Sequence, residues 1–203
     1  TKMETESLKV QKTSFREPQF NLPGRLGVVT EEERFTVAFA QAYRANATQL
    51  HRRSNRNEVA MVREIPVNGY GIADLLAVSW RILPPGDLVD VGAFVQAADP
   101  VSRAFECKLK EWRRAMSQAA RYQFFADQAI VVLHCDVAHR AVPYLTTFRT
   151  IRVGLWSFCP ETWRIRTYYT PRSRRPRSER HRLDAVKTLF SADPESLPVR
   201  KRD

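Results

Sequence analysis

The eight residues Arg103-Ala104-Phe105-Glu106-Cys107-Lys108-Leu109-Lys110 alternate with a period of two. That is the spacing of a half-buried β-strand: Phe105, Cys107 and Leu109 face one way, and Glu106, Lys108 and Lys110 face the other. Upstream, Ile72-Ala73-Asp74-Leu75-Leu76 opens an apolar strand over 72–80 that a single acid, Asp74, interrupts. Asn68-Gly69-Tyr70-Gly71 precedes it as a tight-turn signal, and 59–67 reads as the other arm of the hairpin. If the return strand pairs with the strand holding Glu106, Asp74 sits beside Glu106. Two carboxylates and an ammonium then converge on one spot.

Further out, the elements alternate. Thr30-Glu31-Glu32-Glu33 starts a helix over 31–50, with Thr30 as cap and Glu33 as its capping-box partner. Phe35, Ala38, Phe39, Ala42 and Ala45 follow at helical spacing. Downstream, 111–126 reads as an amphipathic helix with Trp112, Ala115, Met116 and Ala119 on its apolar stripe. Arg114, Gln118 and Arg121 share another face, and Tyr122 reads as core. The run Ala129-Ile130-Val131-Val132-Leu133-His134-Cys135 fits a strand buried on both faces, as in the middle of an α/β sheet. A short helix over 142–149, strands over 151–158 and 163–169, and a last short helix over 183–190 complete the reading. Residues 51–57 form a polar loop. Residues 81–102, broken by Pro84-Pro85-Gly86 and Pro100, form a long connection.

The expected fold class is therefore α/β, a central mixed β-sheet flanked by helices. Three segments compose the 203 residues: an N-terminal extension (1–29), one folded domain (30–170) and a basic C-terminal tail (171–203). A hydrophobic content of 43% excludes a fully disordered chain. No apolar run approaches the ~18 residues of a membrane span, and no secretory signal pattern opens the chain. Three widely spaced cysteines, Cys107, Cys135 and Cys159, do not form a disulfide frame and suit a reducing, cytoplasmic compartment. His134, Cys135, His139 and Cys159 match no common zinc-ligand spacing.

The net charge of +11 favours an anionic partner, nucleic acid first, and in a bacterium an association with the nucleoid. Six arginines fall within residues 172–182, among them Arg172, Arg174 and Arg175, and read as a tail that binds phosphate. Lys110, Arg114 and Arg121 are further candidates for the phosphate backbone. Arginine outnumbers lysine 26 to seven, yet the two lysines between Lys12 and Lys187 are Lys108 and Lys110. Arginine stays protonated, whereas lysine can be tuned, which is a physical reason for lysine at 108.

Two adjacent carboxylates repel unless a cation lies between them. A hard divalent ion, Mg²⁺ or Mn²⁺, takes carboxylate, water and phosphate oxygens as ligands, and a neighbouring lysine can serve an attacking water and offset developing charge. Gly71-Ile72-Ala73-Asp74, then Glu106-Cys107-Lys108 and a helix bearing Gln118, resemble the PD-(D/E)xK nuclease superfamily, whose fold is restriction-endonuclease-like. The likeness spans roughly residues 31–135 and implies a helix, a three-strand meander, a helix and a further strand. Ala73 stands where that pattern often has proline, and a separation of 32 residues between Asp74 and Glu106 makes 81–102 an insertion. The resemblance implies metal ligation by Asp74 and Glu106, a catalytic Lys108, a glutamine at Gln118 and a further acid from the first helix, best matched by Glu33, with Glu64 its rival. The implied activity is metal-dependent hydrolysis of DNA phosphodiesters, in restriction, repair, recombination or phage defence. Cleavage of two strands would favour a homodimer or a partner protein. A non-catalytic nucleic-acid-binding module on the same fold is the alternative.

Overall fold

A computed structural model describes residues 30–50, 58–67, 69–81 and 90–196. The expected extension 1–29, the loop 51–57 and the end of the tail, 197–203, lie outside these residues. The chain runs α1 (Glu31–Ala45), a short α2 (Ala47–Leu50), β1 (Glu58–Val67), β2 (Gly71–Trp80), α3 (Val91–Ala98), β3 (Val101–Lys108), α4 (Trp112–Tyr122) and β4 (Gln128–His134). It continues through α5 (Cys135–Ala141), α6 (Leu145–Ile151), β5 (Val153–Cys159), β6 (Arg164–Tyr169) and α7 (Glu179–Ala192).

The six strands form one sheet in sequence order, β1 to β6. Pairs β1–β2, β2–β3 and β5–β6 are antiparallel; β3–β4 and β4–β5 are parallel. The sheet is mixed, and helices cover both faces. On one face Phe35, Phe39 and Tyr43 of α1 pack on Phe105, Ile130, Trp156 and Phe158. On the other, Ala115 and Ala119 of α4 and Val186, Leu189 and Phe190 of α7 pack with Trp80, Phe94 and Val131. β4 is buried on both sides because both of its neighbours are strands and both of its faces meet helices, which is why it reads as unbroken hydrophobics.

Local chemistry sets the boundaries. The expected capping box is formed: the Glu33 amide donates to Thr30 Oγ1 at 3.2 Å, and the Thr30 amide donates to Glu33 Oε2 at 2.6 Å. The first helix ends at Ala45 rather than continuing to 50, because Asn46 caps it and its side chain donates to Ala42 O at 2.7 Å. Gly69 and Gly71 take φ of 81° and 91° at the β1–β2 turn, a region that favours glycine. Within the long connection, Asp90 caps α3, accepting from the Ala93 amide at 2.8 Å. Cys135 leaves the strand assigned to it and begins α5.

The C-terminal stretch departs most from expectation. Residues 171–196 are not a free tail. The Arg174, Arg177 and Ser178 amides donate to the carbonyls of Asp127, Gln123 and Phe124. α7 then buries Arg182, Ala185, Val186, Leu189 and Phe190, the 3–4 spacing of an amphipathic helix, which outweighs the charge of its sequence. Arg182 is 1% exposed. Its Nε lies 3.2 Å from Asp127 Oδ2, its Nη1 2.9 Å from Glu179 and its Nη2 2.6 Å from the Pro100 carbonyl. Asp127 Oδ2 also accepts from the Ser102 amide and hydroxyl at 2.7 and 2.8 Å. A buried pair with this many hydrogen bonds costs several kcal/mol when one partner is removed. We expect Arg182→Ala to lose about 3 kcal/mol in urea unfolding, and exposed Lys187→Ala on the same helix to stay within about 0.5 kcal/mol of wild type.

Candidate functional site

The β2–β3 register pairs Leu75 with Phe105, and one further step sets Asp74 against Glu106. The β1–β2 register pairs Arg63 with Leu75 and Ile65 with Ala73, and leaves Glu64 opposite Asp74 with φ at 52°. Three acids therefore lie in a row across three strands. Ala73 and Leu76 pack on the same face of the sheet, so the alternation slips by one residue at Asp74. A left-handed Glu64 opposite the slip is backbone strain of the kind that concentrates at functional sites.

Lys108 gathers these acids. Its Nζ lies 3.0 Å from Glu32 Oε2, 3.3 Å from Glu106 Oε1 and 3.9 Å from Asp74 Oδ2. The contributors come from α1, β2 and β3. The acid that α1 presents is thus Glu32, not Glu33. Glu33 is engaged in the capping box, although it lines the same small cleft of about 90 Å³ with Glu32, Thr36, Arg63, Glu64 and Asp74. Helical geometry accounts for the difference: Glu32 shares the buried stripe of Phe35, Thr36, Phe39 and Tyr43, and Glu33 is turned about 100° away. That stripe was readable in the sequence.

Burial and then Asp74 push the Glu106 carboxyl up to about 7. The Glu106 side chain is 1% exposed, and among the described residues its Oε1 has no hydrogen bond of good geometry, only the ion-pair contact with Lys108. Its Oε2 meets the hydroxyl of Tyr122, which also lies 2.8 Å from the Ile72 carbonyl oxygen. The phenol has one proton and faces two acceptors, so both contacts are hydrogen bonds when Glu106 is protonated and donates to the phenol oxygen. Tyr122, read as core, is a contact of the central acid.

Asp74 Oδ2 accepts from the Cys107 amide at 2.8 Å, and burial raises its pKa against that bond and the pull of Lys108. Burial works to lower Lys108, but Asp74, Glu106 and Glu32 outweigh it, and its pKa is raised. The ammonium is therefore held protonated. Arg63 is buried beside the cleft, 3.8 Å from Glu64, with its Nε unpartnered among the described residues.

Gln118 lies one turn before Tyr122 on α4, its Oε1 buried and without a partner among the described residues. Arg121 reaches the turn into β2, its Nη2 3.8 Å from where a Gly71 side chain would begin. Arg114 is exposed and paired with Glu111 at 3.4 Å, and Lys110 is exposed beyond the end of β3. Arg172, Arg174 and Arg175 are exposed and, with Arg152 and Arg177, line a groove of about 230 Å³ beside Asp127 and Gln128. Gln128 pairs with Arg103 and Leu133 with Lys108, so the groove borders the opposite end of β4 from Lys108, about 17 Å along the strand. Arg175 is also tied to Asp99 at 2.7 Å.

Between its ordinary value of 4.5 and about 7, Glu106 binds more protons folded than unfolded, so its contribution to stability falls as pH rises through that window. Glu106→Gln, a mimic of the neutral acid, should melt several degrees above wild type at pH 8 and close to it at pH 5. Equal melting differences at both pH values would refute the buried-acid reading.

Compared with protein-family models, with curated proteins and with solved structures, the chain matches none of them.

Proposed function

We propose that the chain is a divalent-metal-dependent nuclease acting on DNA, built on a restriction-endonuclease-like core. The observation that carries the reading is the meeting of Lys108 with carboxylates from three separate elements, Glu32, Asp74 and Glu106, within 4.0 Å of its ammonium. The element order supports it: a helix, a three-strand meander, a helix and a parallel strand, α1 to β4, is the order that the resemblance implies.

The residues suit a hard divalent cation. Five acids, Glu32, Glu33, Glu64, Asp74 and Glu106, face two cations, Lys108 and Arg63, which leaves three negative charges when all are ionised. Glu106 also has a buried oxygen lacking, among the described residues, a well-formed hydrogen bond. Asp74 and Glu106 would hold Mg²⁺ or Mn²⁺, which when bound supplies Lewis acidity at the phosphate and a more acidic water. Tyr122 positions Glu106, and Glu32 anchors Lys108. Lys108, whose ammonium the surrounding carboxylates favour, would orient the attacking water and offset negative charge on the phosphate oxygens. Gln118 offers an oxygen that has no partner among the described residues, and Arg121, beside the turn into β2, would meet an adjoining phosphate.

Asp74→Ala and Lys108→Ala should each lower Mg²⁺-dependent cleavage of duplex DNA at least about a hundredfold while leaving binding largely intact. Undiminished divalent-dependent cleavage in either purified variant would sink the assignment. Glu32→Gln should cost about 10–100-fold. Glu33→Ala should act mainly on stability, by about 1 kcal/mol, through loss of the cap.

One observation favours a second reading, a module that binds nucleic acid without cutting it: the arginine groove stands apart from Lys108 and needs no metal. Replacing Arg172, Arg174 and Arg175 together should reduce the slope of log affinity against log salt by roughly 2–3, read by fluorescence anisotropy. A wild-type chain that binds DNA but never cuts it with Mg²⁺ or Mn²⁺ would favour this module.

A further inference from the structure

A second cluster lies one strand away from Lys108. Parallel strands β4 and β5 end side by side, with His134 paired to Phe158. His134 closes β4, Cys135 and Asp136 open α5, Cys159 closes β5, and Glu161 lies in the turn to β6. Cys159 Sγ is 3.2 Å from Glu161 Oε2, and Cys135 Sγ is 4.0 Å from His134 Nδ1. His134 Nε2 is 3.8 Å from Glu161 Oε1. One donor atom each from Cys135, Cys159 and Glu161 lie within 4.8 Å of one another, as do donors from His134, Cys135 and Asp136. Cys135 and Cys159 are free thiols.

We infer that Cys135, Cys159 and Glu161 form a binding site for a zinc-class cation, with His134, next to Cys135, placed to supply a fourth ligand on a turn of its ring. Tetrahedral zinc needs donors about 3.3–3.8 Å apart, and one donor atom each from Cys135, Cys159 and Glu161 already lie within 4.8 Å of one another. Thiolate and imidazole are softer donors than the carboxylates around Lys108, so this site selects zinc where that one suits magnesium. Among the described residues, Glu161 and Asp136 make no ion pair with lysine or arginine; both face His134. A cation supplies the missing positive charge and ties together the ends of β4, β5 and the β5–β6 turn. Phe35, one turn after Glu32 on α1, packs on the His134 ring at a centroid distance of 5.9 Å. The tie therefore lies directly behind the helix that presents Glu32. The inference does not depend on the nuclease reading.

The test uses the full chain, reduced, stripped with EDTA and desalted, then titrated with Co²⁺. One equivalent should produce thiolate-to-cobalt charge-transfer absorption that Zn²⁺ abolishes. Asp74→Ala should keep this band, which separates it from metal held by carboxylates. Cys135→Ser and Cys159→Ser should each weaken zinc binding at least about tenfold, and the double variant should lose the band. In the wild-type chain, Zn²⁺ should shield two thiols from a thiol reagent and EDTA should expose them, a reading that requires no variant to fold. Absence of a thiolate band, or a band that survives in the folded double variant, overturns the inference.

Discussion

An ammonium group surrounded by carboxylates from three elements is the constraint on which this end of the molecule depends. Lys108 lies at the end of β3, Asp74 on β2 and Glu32 on α1, so the contact holds only when the meander is in register and α1 crosses it at one position. Glu106 sits beneath, sealed from solvent against Tyr122. Such a site costs stability, because a buried acid beside another acid gives up hydration without full compensation. The two phenylalanines and the tyrosine of α1, and the small alanines of α4, supply apolar contact on either side of the sheet to offset it.

The start of α1 gives neighbouring acids different roles. Glu33 turns back to Thr30, and its neighbour Glu32, one helical step of about 100° away, falls on the face that meets the sheet. The apolar stripe of α1 selects which of three consecutive glutamates reaches Lys108, and the capping box engages the next one. Asp127 acts at the other end of the sheet. It receives Ser102 from β3 and Arg182 from α7 on one oxygen, so the last helix is locked to the start of the parallel strands.

The net charge takes on a different meaning in the fold. Of the six arginines between 172 and 182, Arg182 is buried in a structural ion pair and Arg175 is held by Asp99. Arg172, Arg174 and Arg177 line a groove at the far end of β4 from Lys108. Charge that reads as one continuous tail is divided between packing and surface.

The class of the fold, the two helices around the meander and the buried strand were legible because they rest on local periodicity, whereas Asp74 beside Glu106 and Lys108 followed only from the further expectation that β2 pairs with β3. A strand alternates every two residues and a helix every 3.6, whatever surrounds them. Glu32 over Glu33 was within reach of the same periodicity, from the stripe of Phe35, Phe39 and Tyr43. The role of Tyr122, the position of Glu64 opposite Asp74, the anchoring of α7 and the gathering of His134, Cys135, Cys159 and Glu161 were not. Each depends on which residues from distant segments share an edge or a strand end, and spacing along the chain carries no record of that. Periodicity along the chain carries the helices and strands; packing settles which charges meet, because strand pairing and burial are properties of the assembled sheet.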